Sequence, residues 1–181
     1  MKFTMIQNSL AALGFSLLLV SDILWVKGKK PAAGLRRTGY LAVFCGIGVW
    51  AFLPPSAGAP DNLLSAALIA TVAASSALLF WSVFIEIGAE RKKHGLGPAD
   101  VISSGSYGLC RHPGFWWFAI LIIALGILKG FSANFPTILI MTGLDLLLII
   151  FQDSYTFPKV FRDYDDYRKA VPFLVPRIWK A

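Results

Sequence analysis

Five long apolar runs, each set off by basic clusters or turn residues, constrain this chain more than any other feature. A helix needs about 17–25 mostly apolar residues to cross the hydrocarbon core of a bilayer. Met5 to Val26 meets that length. Gly39 to Leu53 is short but extends backward to Leu35, and Leu63 to Ile87 is long enough to tilt. Gly114 to Leu128 is short again, and Phe135 to Phe151 closes the set. Backbone groups in lipid must satisfy one another, which leaves helices or closed barrels. Barrel strands would alternate apolar and polar residues over segments of about ten, and these runs do not. The expected fold is therefore an all-α integral membrane protein with about five transmembrane helices and a cytoplasmic interfacial helix near the C-terminus.

Composition agrees. The 181 residues are 56% hydrophobic and only 15% charged, too little charge to cover a soluble domain. The net charge of +7 does not point to nucleic acid, because the basic residues sit between the apolar runs. Lys27, Lys29, Lys30, Arg36 and Arg37 lie between the first two runs, and Arg91, Lys92, Lys93 and Arg111 between the third and fourth. The tail holds Lys159, Arg162, Arg168, Lys169, Arg177 and Lys180. The other two gaps carry only Asp61 and Lys129. This alternation places the N-terminus outside and the tail in the cytoplasm. The first run lacks a small-residue cleavage site and reads as a span rather than a removed signal. Cys45 and Cys110 fall in different environments, which argues against a disulfide, and isolated His94 and His112 give no metal-ligand spacing.

Two stretches carry candidate chemistry. The first, "HGLGPADVISSGSYGLCRHP", is long for a simple connection. Gly105 permits unusual turns, Arg111 offers a fork of donors, and His112 exchanges protons near neutrality. Pro113 suits the first turn of the next helix, whose N-terminus favours an anion. The second stretch is the tail, where Tyr164 and Tyr167 share one face if helical. Taken alone, it reads as an amphipathic helix on headgroups. Three acids lie in or beside spans. Asp22 and Glu86 are expected to snorkel or pair with nearby Lys or Arg. Asp145 and Gln152, seven apart, share a helical face that Asp153 flanks.

Together these stretches resemble the small integral-membrane methyltransferases, which include isoprenylcysteine carboxyl methyltransferase and the phospholipid N-methyltransferases. Gly105, Tyr107, Arg111, His112 and Pro113 match the family's Gly-x-Tyr-x-x-x-Arg-His-Pro-x-Tyr signature, with Phe115 in place of the last Tyr. Tyr164, Tyr167, Val171, Pro172 and Pro176 match a second motif, and Gln152 and Asp153 stand where the family has two glutamates. The resemblance covers about the last 80 residues.

It implies S-adenosylmethionine as cofactor and a lipophilic acceptor entering from the bilayer, with no nucleic acid and no metal. The chain divides into a three-span scaffold, 1–88, and a cofactor-binding half, 89–181, within one membrane domain in the plasma membrane of a prokaryote. Arg111 is expected to meet the cofactor's carboxylate, Asp153 its amine or ribose, and Tyr107 and Phe115 its adenine. His112, Tyr164 and Tyr167 complete the cofactor site; Asp153, Gln152 and Asp145 are the catalytic candidates. Neutral Gln152 tilts the acceptor toward a carboxylate or thiolate, which needs no base. An NADPH-dependent sterol-type reductase is the alternative enzyme, although Gly114 stands where those proteins carry Asn. A non-catalytic lipid-binding relative is the other alternative.

Overall fold

The computed structural model describes residues 2–176, so Arg177 and Lys180 of the basic tail lie outside the described residues. All regular structure among these residues is helical. Helix α1 (Lys2–Val26) is followed by α2 (Ala32–Phe52). Helix α3 (Asn62–Phe80) passes through a π turn (Trp81–Glu86) into α4 (Ile87–His94). Next come α5 (Pro113–Leu128) and α6 (Phe131–Phe151). A second π turn (Gln152–Thr156) leads from α6 into α7 (Phe157–Val160), and α8 (Tyr164–Ala170) lies in the tail.

Three continuous rods are long and apolar enough to cross a membrane: Met5–Val26, Asn62–His94 and Phe131–Val160. Of the other two expected spans, α5 is apolar but has 16 residues, and α2 carries Arg36 and Arg37 among its 21. The third and fifth expected spans stop short of the observed rods. In both, a π turn re-aims the helix without breaking it, a feature that apolar periodicity does not reveal.

Successive long helices alternate in direction, so that the end of α3 lies at the start of α5, with Leu79 beside Gly114. Helices α1 and α2 approach closely because small residues face each other: a Cβ on Gly14 would sit 2.6 Å from Val43 Cγ2 and 2.8 Å from the Gly39 carbonyl. Helix α6 packs on both α1 and α5, and α3 packs on α5. The resulting order, α2–α1–α6–α5–α3, is an arc with α2 and α3 at its two ends. Trp50, Ile122, Leu125 and Met141 are fully buried in its core, and Phe15 meets Phe118 edge to face.

The tail helix is amphipathic, as expected, and its apolar side meets protein. Tyr164 and Tyr167 of α8 are buried with Val171 in a second apolar cluster against Val101 of the loop before α5. The rest of α8, Asp165, Asp166, Arg168, Lys169 and Ala170, is exposed.

Candidate functional site

The loop before α5 and the tail after α6 are joined by hydrogen bonds. The Arg111 amide donates to the Pro172 carbonyl at 3.0 Å, and the Arg162 amide to Ala99 at 3.0 Å. The Tyr167 hydroxyl donates to the Tyr107 carbonyl at 2.7 Å, and Trp116 Nε1 to the Leu174 carbonyl at 2.7 Å. The first π turn holds the same loop from beneath. Glu86 accepts from the Ser106 amide at 2.5 Å and the Ser106 hydroxyl at 2.6 Å, and the Ser82 carbonyl accepts from the Tyr107 hydroxyl at 3.0 Å. Gly105, at φ +62°, turns over Glu86 so closely that a Cβ would overlap its Oε1. Glu86 is thus a loop anchor rather than a partner of Lys or Arg.

At the centre lies Asp153, placed by the second π turn and 7% exposed. Arg111 Nη1 is 2.7 Å from its Oδ1 and donates to Oδ2 at 2.8 Å. The Tyr164 hydroxyl donates to Oδ1 at 2.6 Å. His112 Nε2 stands 3.5 Å from Oδ1 and makes no hydrogen bond among the described residues. The His112 ring stacks on Phe157 and meets Phe173 edge-on. Burial pushes the His112 pKa down, and although Asp153 pulls the other way, it stays below its ordinary 6.5; the imidazole is neutral at neutral pH. Burial also raises the Tyr107, Tyr164 and Tyr167 hydroxyls, which remain protonated donors.

These groups border a cavity of about 750 Å³, within the size range of small-molecule sites. Its walls come from both halves of the chain, including Phe15, Asp22, Arg36 and Tyr40 from α1 and α2. Tyr107, Arg111, His112, Pro113, Phe115, Tyr164, Tyr167, Gln152 and Asp145 all line it. Gly105 and Asp153 do not: Gly105 shapes the loop, and Asp153 is engaged by Arg111 and Tyr164. Two buried polar atoms of lining residues, Arg111 Nε and His112 Nε2, make no hydrogen bond among the described residues. Such groups normally find one, so a ligand bearing an acceptor for the guanidinium and a polar group for the imidazole fits here.

Gln152 and Asp145 share the lined face, as their seven-residue spacing requires. Gln152 Nε2 donates to Asp22 Oδ2 at 2.8 Å, while Arg36 Nη2 donates to Asp22 Oδ1 at 3.2 Å. The expected pairing of Asp22 with a nearby Arg is met in this way. Asp145 makes no hydrogen bond or ion pair with any described residue. Sequence reasoning missed Phe157, Phe173 and the contribution of α2; only the aromatic density of the tail hinted at the rings.

Comparisons with family models, curated proteins and solved structures give no match.

Proposed function

We propose that this chain transfers a methyl group from S-adenosylmethionine to a lipophilic acceptor at the cytoplasmic face of a membrane. In this reading all five long helices cross the bilayer, with the N-terminus outside and the tail inside, in the plasma membrane of a prokaryote. The observation that carries the reading is the pair of buried nitrogens, Arg111 Nε and His112 Nε2, that make no hydrogen bond among the described residues and belong to the lining of a cavity to which both motifs contribute.

The residues present suit the cofactor. Arg111 and His112 would take its carboxylate and neighbouring acceptors, and Tyr107, Phe115 and Phe157 offer flat apolar walls to adenine. When bound, the cofactor supplies an electrophilic methyl on a sulfonium. The chain's own work is to orient and to exclude water. Asp153 does this indirectly: its two oxygens fix the Arg111 fork and the Tyr164 hydroxyl, so it is a positioning residue. Buried Phe118 and Leu148 close the cavity toward the bundle core.

Titration calorimetry in detergent tests the reading. S-adenosylhomocysteine should bind with micromolar or better affinity, and His112→Ala should weaken it at least tenfold. Binding of NADPH instead would turn the reading into the reductase, and binding of neither would leave the lipid-binding relative. Radiolabelled transfer on native membranes, followed by extraction, then shows which fraction carries the methyl group.

A further inference from the structure

The end of the bundle away from Asp153 holds a second, smaller space with unmet chemistry. It measures about 130 Å³ and lies between the start of α1, the end of α2 and the α5–α6 turn, with Gln7, Trp50, Leu53, Ser56 and Lys129 in its lining. Gly130, at φ +95°, seats that turn against the chain after α2, where a Cβ would lie 2.8 Å from the Ala57 carbonyl. The Ser56 amide donates to the Lys129 carbonyl at 2.8 Å, so backbone contacts hold the walls.

Two of the polar side chains here are committed. Trp50 Nε1 donates to Asn134 Oδ1, and Asn134 Nδ2 donates to the Lys129 and Gly130 carbonyls. Two others are not. Gln7 is 0% exposed, and neither its Nε2 nor its Oε1 makes a hydrogen bond among the described residues. Lys129 Nζ donates to the Leu53 carbonyl, which leaves its other N–H groups free of described partners. No acid lines the space, and Lys129 forms no ion pair with a described residue. Burial pulls the Lys129 pKa below its ordinary 10.5, a penalty on the charge that an anion would offset.

These groups define a narrow class of guest. The volume of about 130 Å³ equals about four waters at ~30 Å³ each, too small for a nucleotide or a sugar. The ammonium favours an anion. The Gln7 amide sets a donor beside an acceptor, so its full partner has an acceptor beside a donor. A halide or a carboxylate lacks the donor. We propose that this space binds a small oxyanion that keeps an O–H group, hydrogencarbonate or hydrogen phosphate. Its charged oxygen meets Lys129 Nζ, a second oxygen accepts from Gln7 Nε2, and its O–H donates to Gln7 Oε1. The site is separate from the Asp153 cavity, and its occupancy does not depend on methyl transfer.

Thermal unfolding of the full chain in detergent tests this, in an amine-sulfonate buffer with sodium chloride, at mildly alkaline pH and constant ionic strength. Four additives are titrated: hydrogencarbonate, phosphate, acetate and formamide. Acetate has the charge without the O–H, and formamide has a donor beside an acceptor without the charge. Hydrogencarbonate or phosphate should raise the melting temperature saturably, by about 3–6 °C at a tenfold excess over its Kd, and whichever does so identifies the ion. Acetate and formamide should give no saturable shift. Gln7→Met should melt no lower than wild type without additive and should lose the shift. Lys129→Met should also lose it, and Lys129→Arg should retain it. No saturable shift with either oxyanion, an equal shift with acetate or formamide, or a shift that survives Gln7→Met overturns the proposal.

Discussion

Each end of the bundle is tied by a polar knot, and the two knots differ in what they leave unsatisfied. At the end holding the α5–α6 turn, Trp50 Nε1 donates to Asn134 Oδ1 at 3.1 Å, and Asn134 Nδ2 donates to the Lys129 and Gly130 carbonyls at 3.0 and 2.8 Å. Lys129 reaches the Leu53 carbonyl. These groups answer one another around a cavity of only about 130 Å³. At the opposite end, Asp153 gathers Arg111 and Tyr164, yet Arg111 Nε and His112 Nε2 make no hydrogen bond among the described residues beside a space of about 750 Å³. The first knot pairs its own groups across helices and leaves the neighbouring Gln7 amide aside; the second holds helices and still has nitrogens of Arg111 and His112 without a hydrogen bond among the described residues.

Substitutions should separate these roles. The largest effect belongs to Asp153→Asn, which leaves the buried Arg111 charge uncompensated. A loss of about 3–5 kcal/mol in thermal or denaturant unfolding is expected, together with loss of S-adenosylhomocysteine binding. Trp50→Phe strands Asn134 Oδ1 and should cost about 1–3 kcal/mol, leaving cofactor binding unchanged. If both variants impaired binding equally, the division between a holding knot and an offering knot would fail.

A third effect is confined to acid. The folded His112 pKa lies below the ordinary 6.5, so the unfolded chain takes up a proton first as pH falls through that value. Stability from this group is present above about pH 6.5 and declines as pH drops toward the folded value. The melting temperature of wild type should therefore fall between neutrality and about pH 5 by more than that of His112→Gln. Parallel pH curves for the two proteins would show that His112 is not held neutral.

The helical rods were legible because apolar length and basic gaps are one-dimensional signals. The meeting of Arg111 and His112 with Tyr164 and Tyr167 was legible because both motifs fall at the same end of an alternating bundle. Three things were not. The two π turns have no signature in the apolar pattern, and the second carries both Gln152, which reaches Asp22, and Asp153, which reaches Arg111. The first half of the chain, expected as scaffold, supplies Tyr40 and Phe15 to the cavity, which no local pattern announces. Asp153, expected against the cofactor, is engaged behind Arg111 because a buried carboxylate takes whatever donors packing brings within reach.

Gln7 supplies the smallest effect and the sharpest test of the comparison. It lines the small cavity, is 0% exposed, and neither of its amide atoms has a partner among the described residues. In buffer free of proton-bearing oxyanions, this amide carries an unreturned desolvation cost. Gln7→Met keeps a similar volume and removes both polar atoms, so unfolding stability should rise by about 1 kcal/mol. A loss of similar size would mean that bound water answers Gln7. The first knot would then be satisfied throughout, and the two ends would differ in kind as well as in size.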